Sequence, residues 1–121
     1  MKLDEYQEVA EKTAVYPDAG EGTLRALVYT TLGLAGEAGE LANKVKKLLR
    51  DKGLDMGELV EANLDHGPFD ELACELGDVL WYVAQTATEL NLCLSKVAEL
   101  NIARLSDRAT RGALHGSGDK R

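Results

Sequence analysis

Apolar residues recur along this chain at intervals of three, four and seven, and no stretch shows the strict alternation of a half-buried strand. That periodicity restricts the fold to packed helices. A first segment, Leu3 to Thr13, places Tyr6, Val9 and Ala10 on its inner side, and Pro17, Gly20 and Gly22 then break the pattern. A long helix is predicted from Thr23 to Arg50. Leu24, Leu27, Thr31, Leu34, Ala38, Leu41, Val45 and Leu48 make its apolar side. Asp51 to Gly53 close it, and Met56 to Leu64 form either a short helix or a folded loop. Gly67 and Pro68 open a third segment, Phe69 to Leu90, with Leu72, Leu76, Val79, Leu80, Val83, Ala87 and Leu90 facing inward. A fourth runs from Leu94 to Arg108. The expectation is an all-α bundle of four main helices over residues 1–108, followed by a basic, glycine-rich tail over 109–121.

At 121 residues the chain has room for one domain, and 45% apolar content suffices for a core. The 21 acids against 14 bases oppose broad binding of nucleic-acid polymers or anionic membranes, which need a positive field. No apolar run approaches the roughly 20 residues of a membrane span. The N-terminal MKLDEYQEVAEK lacks the layout of a secretory signal. Cys74 and Cys93 have neither metal-ligand spacing nor scaffold density, so reduced thiols and a cytoplasmic location are expected. His66 and His115 lie in glycine-containing stretches unsuited to a zinc site. The charge is uneven: Arg104 onward carries +3, leaving −10 on the rest.

Some of those acids are gathered. Glu37 and Glu40 project from one face of the second helix, and Glu75 and Asp78 repeat the three-residue spacing on the third. Lys44 and Lys47 continue the first stripe; Glu71, Tyr82 and Gln85 share the second. Either pair alone is what a solvated helix face commonly carries. Two pairs facing each other would repel strongly without a cation between them. Gly33, Gly36 and Gly39 add a second signal, because each sits inside a helix at a cost of about 1 kcal/mol relative to Ala. Close helix approach, or a ligand needing room, would compensate. Asn101 interrupts the fourth helix's apolar stripe, as a satisfied core amide or as a ligand contact, with Arg104 and Arg108 continuing its line. Carboxylates without His or Cys select hard cations, Mg²⁺ first and Mn²⁺ as substitute, and such ions bridge to phosphates. Lys44, Lys47, Arg104 and Arg108 are placed by helical geometry to contact those phosphates or to form salt bridges, for Lys44 an i,i+4 pair with Glu40. A di-iron bundle would need an ExxH that the helices lack.

LGLAGEAGELANKVKK (32–47), DELACELGDVLWYVA (70–84) and KVAELNIARLSDR (96–108) resemble the MazG family of all-α nucleoside triphosphate pyrophosphohydrolases. The family pattern is ExxE on one helix and ExxD on the next, here Glu37 and Glu40, then Glu75 and Asp78. The resemblance implies Mg²⁺-dependent cleavage of a (deoxy)nucleoside triphosphate between the α and β phosphates, giving monophosphate and pyrophosphate. By correspondence Glu37, Glu40, Glu75 and Asp78 are the metal ligands, and one of these carboxylates is the base that activates water. Asn101 then contacts the nucleotide, Tyr82 lies near the sugar, and Trp81 serves packing. The tail RGALHGSGDKR resembles the ending of short bacterial and phage members, which points toward dGTP and GTP rather than dCTP, dUTP or a broad range. A nucleotide-binding regulatory module is the non-enzymatic alternative.

A short chain leaves each long helix half covered, so self-association is expected, and the resemblance implies a dimer or a dimer of dimers. The basic tail is placed to reach a neighbour's acidic site. Two departures from the family stand out: the long connection between Glu40 and Glu75, and Cys93 where relatives place a Ser helix cap, which weakens that helix's start.

Overall fold

The computed structural model describes residues 1–52 and 68–113. Four helices make up the described residues: α1 (Leu3–Glu11), α2 (Leu24–Lys52), α3 (Pro68–Glu89) and α4 (Leu94–Thr110), with no strand among them. The helical periods therefore located the elements to within two residues at each end. The Met56–Leu64 piece, both histidines and the tail beyond 113 lie outside the described residues.

The ends of the helices are set by local chemistry. Thr23 caps α2, its hydroxyl oxygen accepting from the Ala26 N–H at 3.1 Å and its proton going to Asp18 Oδ2. Asn91, at φ 53°, ends α3 in a left-handed turn, with Leu92 N–H bonded to Ala87 O and Asn91 N–H to Thr88 O. Gly112 does the same for α4 at φ 65°. Cys93 makes no side-chain cap on α4. The missing cap is supplied from α1 instead. Asp4 accepts from both Ser95 N–H (2.9 Å) and Ser95 Oγ (2.7 Å), and Gln7 Oε1 accepts from Leu94 N–H at 2.7 Å. Gln7 also donates to Thr88 Oγ1 and Leu92 O, so one side chain ties α1 to the whole α3–α4 turn. The expected weakness at Cys93 is thus compensated in space, where sequence spacing does not show it.

A second tie fixes the loop between α1 and α2. Glu89, at the end of α3 and 5% exposed, accepts from the Tyr16 hydroxyl, from Gly20 N–H (2.8 Å) and from Gly22 N–H (2.9 Å). Both glycines have positive φ, which lets their amides converge on one carboxylate. The same contact, with burial the larger cause, pushes the Tyr16 phenol far above its usual range.

The core is built from small side chains. Ala10, Tyr16, Ala26, Ala84, Ala87 and Leu94 are its buried apolar members, and Tyr6, Val83 and Val97 pack on the Ala84–Ala87–Leu94 cluster. The leucine stripes behave otherwise. Of the residues expected to face inward, Val9, Leu24, Thr31, Ala38, Val45, Leu76, Leu80 and Leu90 are exposed, whereas Ala26 and Thr30 are fully buried. The reason is that α2 packs on α3 alone among the described helices, through a line of small and polar residues. Periodicity reports which side is apolar; it does not report which side has a neighbour. Leu100, Ile102 and Leu105 on α4 are likewise exposed, since α4 is buried only near its start.

Candidate metal centre

The facing lines of α2 and α3 run antiparallel. On α3, Glu71, Glu75, Asp78, Tyr82, Gln85 and Glu89 follow alternating steps of four and three, which keeps them on one side of the helix. Tyr82 lies against Gly33, Asp78 is felt by Glu37, and Lys44 reaches Glu75 and Glu71. Falling numbers on α3 thus meet rising numbers on α2, and the acids of the two helices arrive at one level.

Three carboxylates converge there. Oxygens of Glu37, Glu75 and Asp78 all lie within 4.8 Å of one another. Their mutual repulsion is visible at Glu37. Its carboxyl is held above the usual range, first by partial burial and then by the charges of Asp78, Glu75 and Glu40. An octahedral cation with oxygens at about 2.1 Å sets them roughly 3 to 4 Å apart, so a small contraction of this group would hold one. The donor set, oxygen only, fits Mg²⁺ or Mn²⁺. Glu40 does not join the group. It is exposed at the edge of the α2 line and acts on Glu37 through its charge alone.

Lys44 does not pair with Glu40 one turn back. Its Nζ crosses to α3, 2.9 Å from Glu75 Oε1 and 3.6 Å from Glu71 Oε2. Lys47 is exposed, and its charge is felt at Asp51, whose carboxyl is lowered first by Arg50 and then by Lys47. Asn101 and Arg104 are exposed and Arg108 is half-buried, on a helix that packs on α1 and α3 but not on α2 among the described residues. The expectation of a buried Asn101 is corrected: α4 is exposed from Glu99 to Asp107, so the interruption of its apolar stripe falls on an open face of the single chain.

Among the described glycines inside helices, only Gly33 has a tight neighbour. A Cβ there would meet the Tyr82 ring, whereas Gly36 and Gly39 have nothing within 4 Å. Tyr82 is enclosed further by Trp81, edge-on at 4.9 Å, and by Tyr29. Burial is the first cause of its raised phenol, followed by Tyr29 and then by the charges of Glu37 and Asp78. Trp81 packs as expected, donating to Thr13 Oγ1 at 2.8 Å and standing edge-on to Tyr16. Tyr16 in turn stacks on Tyr29 at 5.1 Å. Tyr29 stands out by no motif of its own, although it precedes Gly33 by four and Glu37 by eight on the same side of α2. Tyr6, expected on the inner side of α1, also senses the site: its phenol is raised by burial and then by Asp78. Gln85 is fully buried, and among the described residues neither its amide N nor its amide O has a hydrogen-bond partner.

An all-helical scaffold that presents three convergent carboxylates beside an aromatic cluster defines a class: helical proteins whose site suits a hard divalent cation and the phosphates such a cation neutralises. The chain belongs to the MazG nucleotide pyrophosphohydrolase domain family, which matches residues 27–112. It is 49% identical over 122 residues to the Gene 37 protein of Mycobacterium phage L5, covering 100% of both chains. No solved structure matches it. Among the described residues no helix is long and apolar enough to cross a membrane.

Proposed function

We propose that this protein hydrolyses (deoxy)nucleoside triphosphates at the α–β bond, releasing monophosphate and pyrophosphate, with Mg²⁺ as cofactor and guanine nucleotides preferred. The observation that carries the reading is the convergence of Glu37, Glu75 and Asp78 on facing helices of a chain in this family. A bound Mg²⁺ would supply positive charge to the phosphates and acidify water. The residues' own roles follow from their places. Glu37, Glu75 and Asp78 hold the cation. Glu40, exposed one turn along, completes the set or takes a proton from water. Lys44 is close enough to meet a phosphate that arrives over the group. Tyr82, fixed on Gly33, presents a rigid wall for the sugar. Asn101, Arg104 and Arg108 would act from α4, and Lys47 from the far end of α2. Because α4 makes no contact with α2 among the described residues, Asn101, Arg104 and Arg108 serve the site through a second copy. The exposed Leu32, Leu76, Leu80, Ile102 and Leu105 support that assembly, as a dimer or a dimer of dimers. The guanine preference rests on the tail, whose phage-type resemblance agrees with the phage relative.

The test is a panel of the eight common NTPs and dNTPs with Mg²⁺, with products separated by ion-exchange chromatography. Monophosphate plus pyrophosphate is expected, dGTP and GTP fastest. Diphosphate plus phosphate would refute the bond assignment, and a full rate in Glu75→Gln would refute the carboxylate site.

A further inference from the structure

Five of the carboxylates on α2 and α3, Glu37, Glu40, Glu71, Glu75 and Asp78, stand near the convergent group. Lys44 brings a positive charge among them. Its ammonium has a carboxylate available on its own helix, Glu40, four residues back, yet it bonds Glu75 on the opposite helix at 2.9 Å. The geometry is lopsided in a telling way. Glu71, the more distant partner at 3.6 Å, has a side chain 73% exposed, whereas that of Glu75 is only 14% exposed. The tight contact is therefore made to the sheltered carboxylate, which is also a member of the convergent group with Glu37 and Asp78. Lys44 itself stays 32% exposed, on a flexible four-carbon stem that can leave without disturbing the backbone.

A lone pair of Glu75 that accepts this ammonium is not free for another cation, and an ammonium within hydrogen-bond distance of Glu75 repels a divalent ion held by the same group. We propose that Lys44 is a built-in counter-ion. It neutralises Glu75 in the metal-free protein, yields that carboxylate when a divalent cation binds, and then turns its charge to the phosphates of the nucleotide. The inference rests on the reading of Glu37, Glu75 and Asp78 as a cation site and adds to it a competitor from within the chain. Lys44 is thus a positioning residue for the metal and a contact for the substrate, and the two roles act in opposite directions on affinity.

That opposition supplies the test. Mn²⁺ binding to the metal-free full chain, without nucleotide, is followed by the electron paramagnetic resonance signal of free Mn²⁺. Wild type, Lys44→Met, Lys44→Gln and Lys44→Arg are compared. Both neutral variants should bind Mn²⁺ at least about fivefold more tightly, while Arg, which keeps the charge, stays near wild type. The same neutral variants should raise KM for the nucleotide at saturating Mg²⁺. A merely structural pair would weaken or leave unchanged the binding of both. Unchanged or weaker Mn²⁺ binding in Lys44→Met and Lys44→Gln, with wild type binding normally, overturns the proposal alone. Absence of Mn²⁺ binding in wild type overturns the cation-site reading beneath it.

Discussion

Replacing Gly33 with Ala opposes two effects whose sizes can be compared. In a helix interior Ala is favoured over Gly by about 1 kcal/mol, so with no neighbour the change would stabilise. At this position the added Cβ would lie 2.7 Å from Tyr82 Cδ1 and nearer still to Cε1 and Cζ. Ordinary carbon contacts need about 3.5 to 4.0 Å, so the ring must move by an ångström or more. It has little freedom to do so, with Trp81 edge-on at 4.9 Å and Tyr29 at its hydroxyl. Overpacking of this kind typically costs about 1 to 3 kcal/mol. A displacement of this size belongs in the upper part of that range, about 2 to 3 kcal/mol, so the clash wins with a net loss of roughly 1 to 2 kcal/mol. With an unfolding entropy of about 2.1 cal/mol/K per residue, a chain of 121 residues should melt roughly 4 to 8 °C lower.

Gly36 is the internal control. It lies in the same helix with nothing within 4 Å of a Cβ, so Gly36→Ala should gain about 1 kcal/mol and raise Tm by roughly 4 °C. Thermal melts of the metal-free protein, followed by circular dichroism, read both. A Tyr82→Ala background should convert Gly33→Ala from destabilising to stabilising, a coupling of about 2 to 3 kcal/mol in the double-mutant cycle. If Gly33→Ala raises Tm with Tyr82 in place, or matches Gly36→Ala, the close approach of α2 to Tyr82 is wrong. If Gly36→Ala lowers Tm, that face is covered by a second copy.

Three further expectations follow from single groups. Because the Glu37 carboxyl titrates above its ordinary 4.5, the folded protein binds that proton more readily than the unfolded chain, and metal-free stability falls as pH rises through this range. Metal-free Glu37→Gln should melt like wild type below that value and above it at neutral pH, with the order reversed by Mg²⁺; equal melting at every pH would refute the repulsion. Glu89→Ala leaves the Tyr16 hydroxyl and two glycine amides without their acceptor and should cost about 3 kcal/mol, read in urea melts; a loss under about 0.5 kcal/mol would mean that the loop is held elsewhere. Gln85→Met nearly keeps the volume and removes a fully buried amide that has no partner among the described residues, so stability should rise by about 1 to 2 kcal/mol; a fall would show that the amide is bonded in the working protein.

The sequence by itself determined the helices and which acids share one side of each. Both are local matters: a period near 3.6 locates a helix, and a three-residue step puts Glu37 with Glu40 and Glu75 with Asp78 on one side of theirs, whatever the surroundings. The same local logic marked Gly33 as a residue needing a reason, and Tyr82 is that reason. What it left open were choices between partners. Lys44 takes Glu75 over Glu40, Asp4 and Gln7 do the capping that Cys93 does not, and Glu89 gathers a loop lying about 70 residues earlier in the chain. Such pairings join residues far apart in sequence and depend on which helix lies alongside which. The leucine stripes show the same limit from the other side. Their spacing declares an apolar face, but only the packing of α2 on α3 through Ala26, Thr30 and Gly33 shows that the face toward the neighbour is the small and acidic one. Hydrophobic burial is non-directional, while close approach and charge pairing depend on a particular neighbour, and that neighbour exists only in the folded chain.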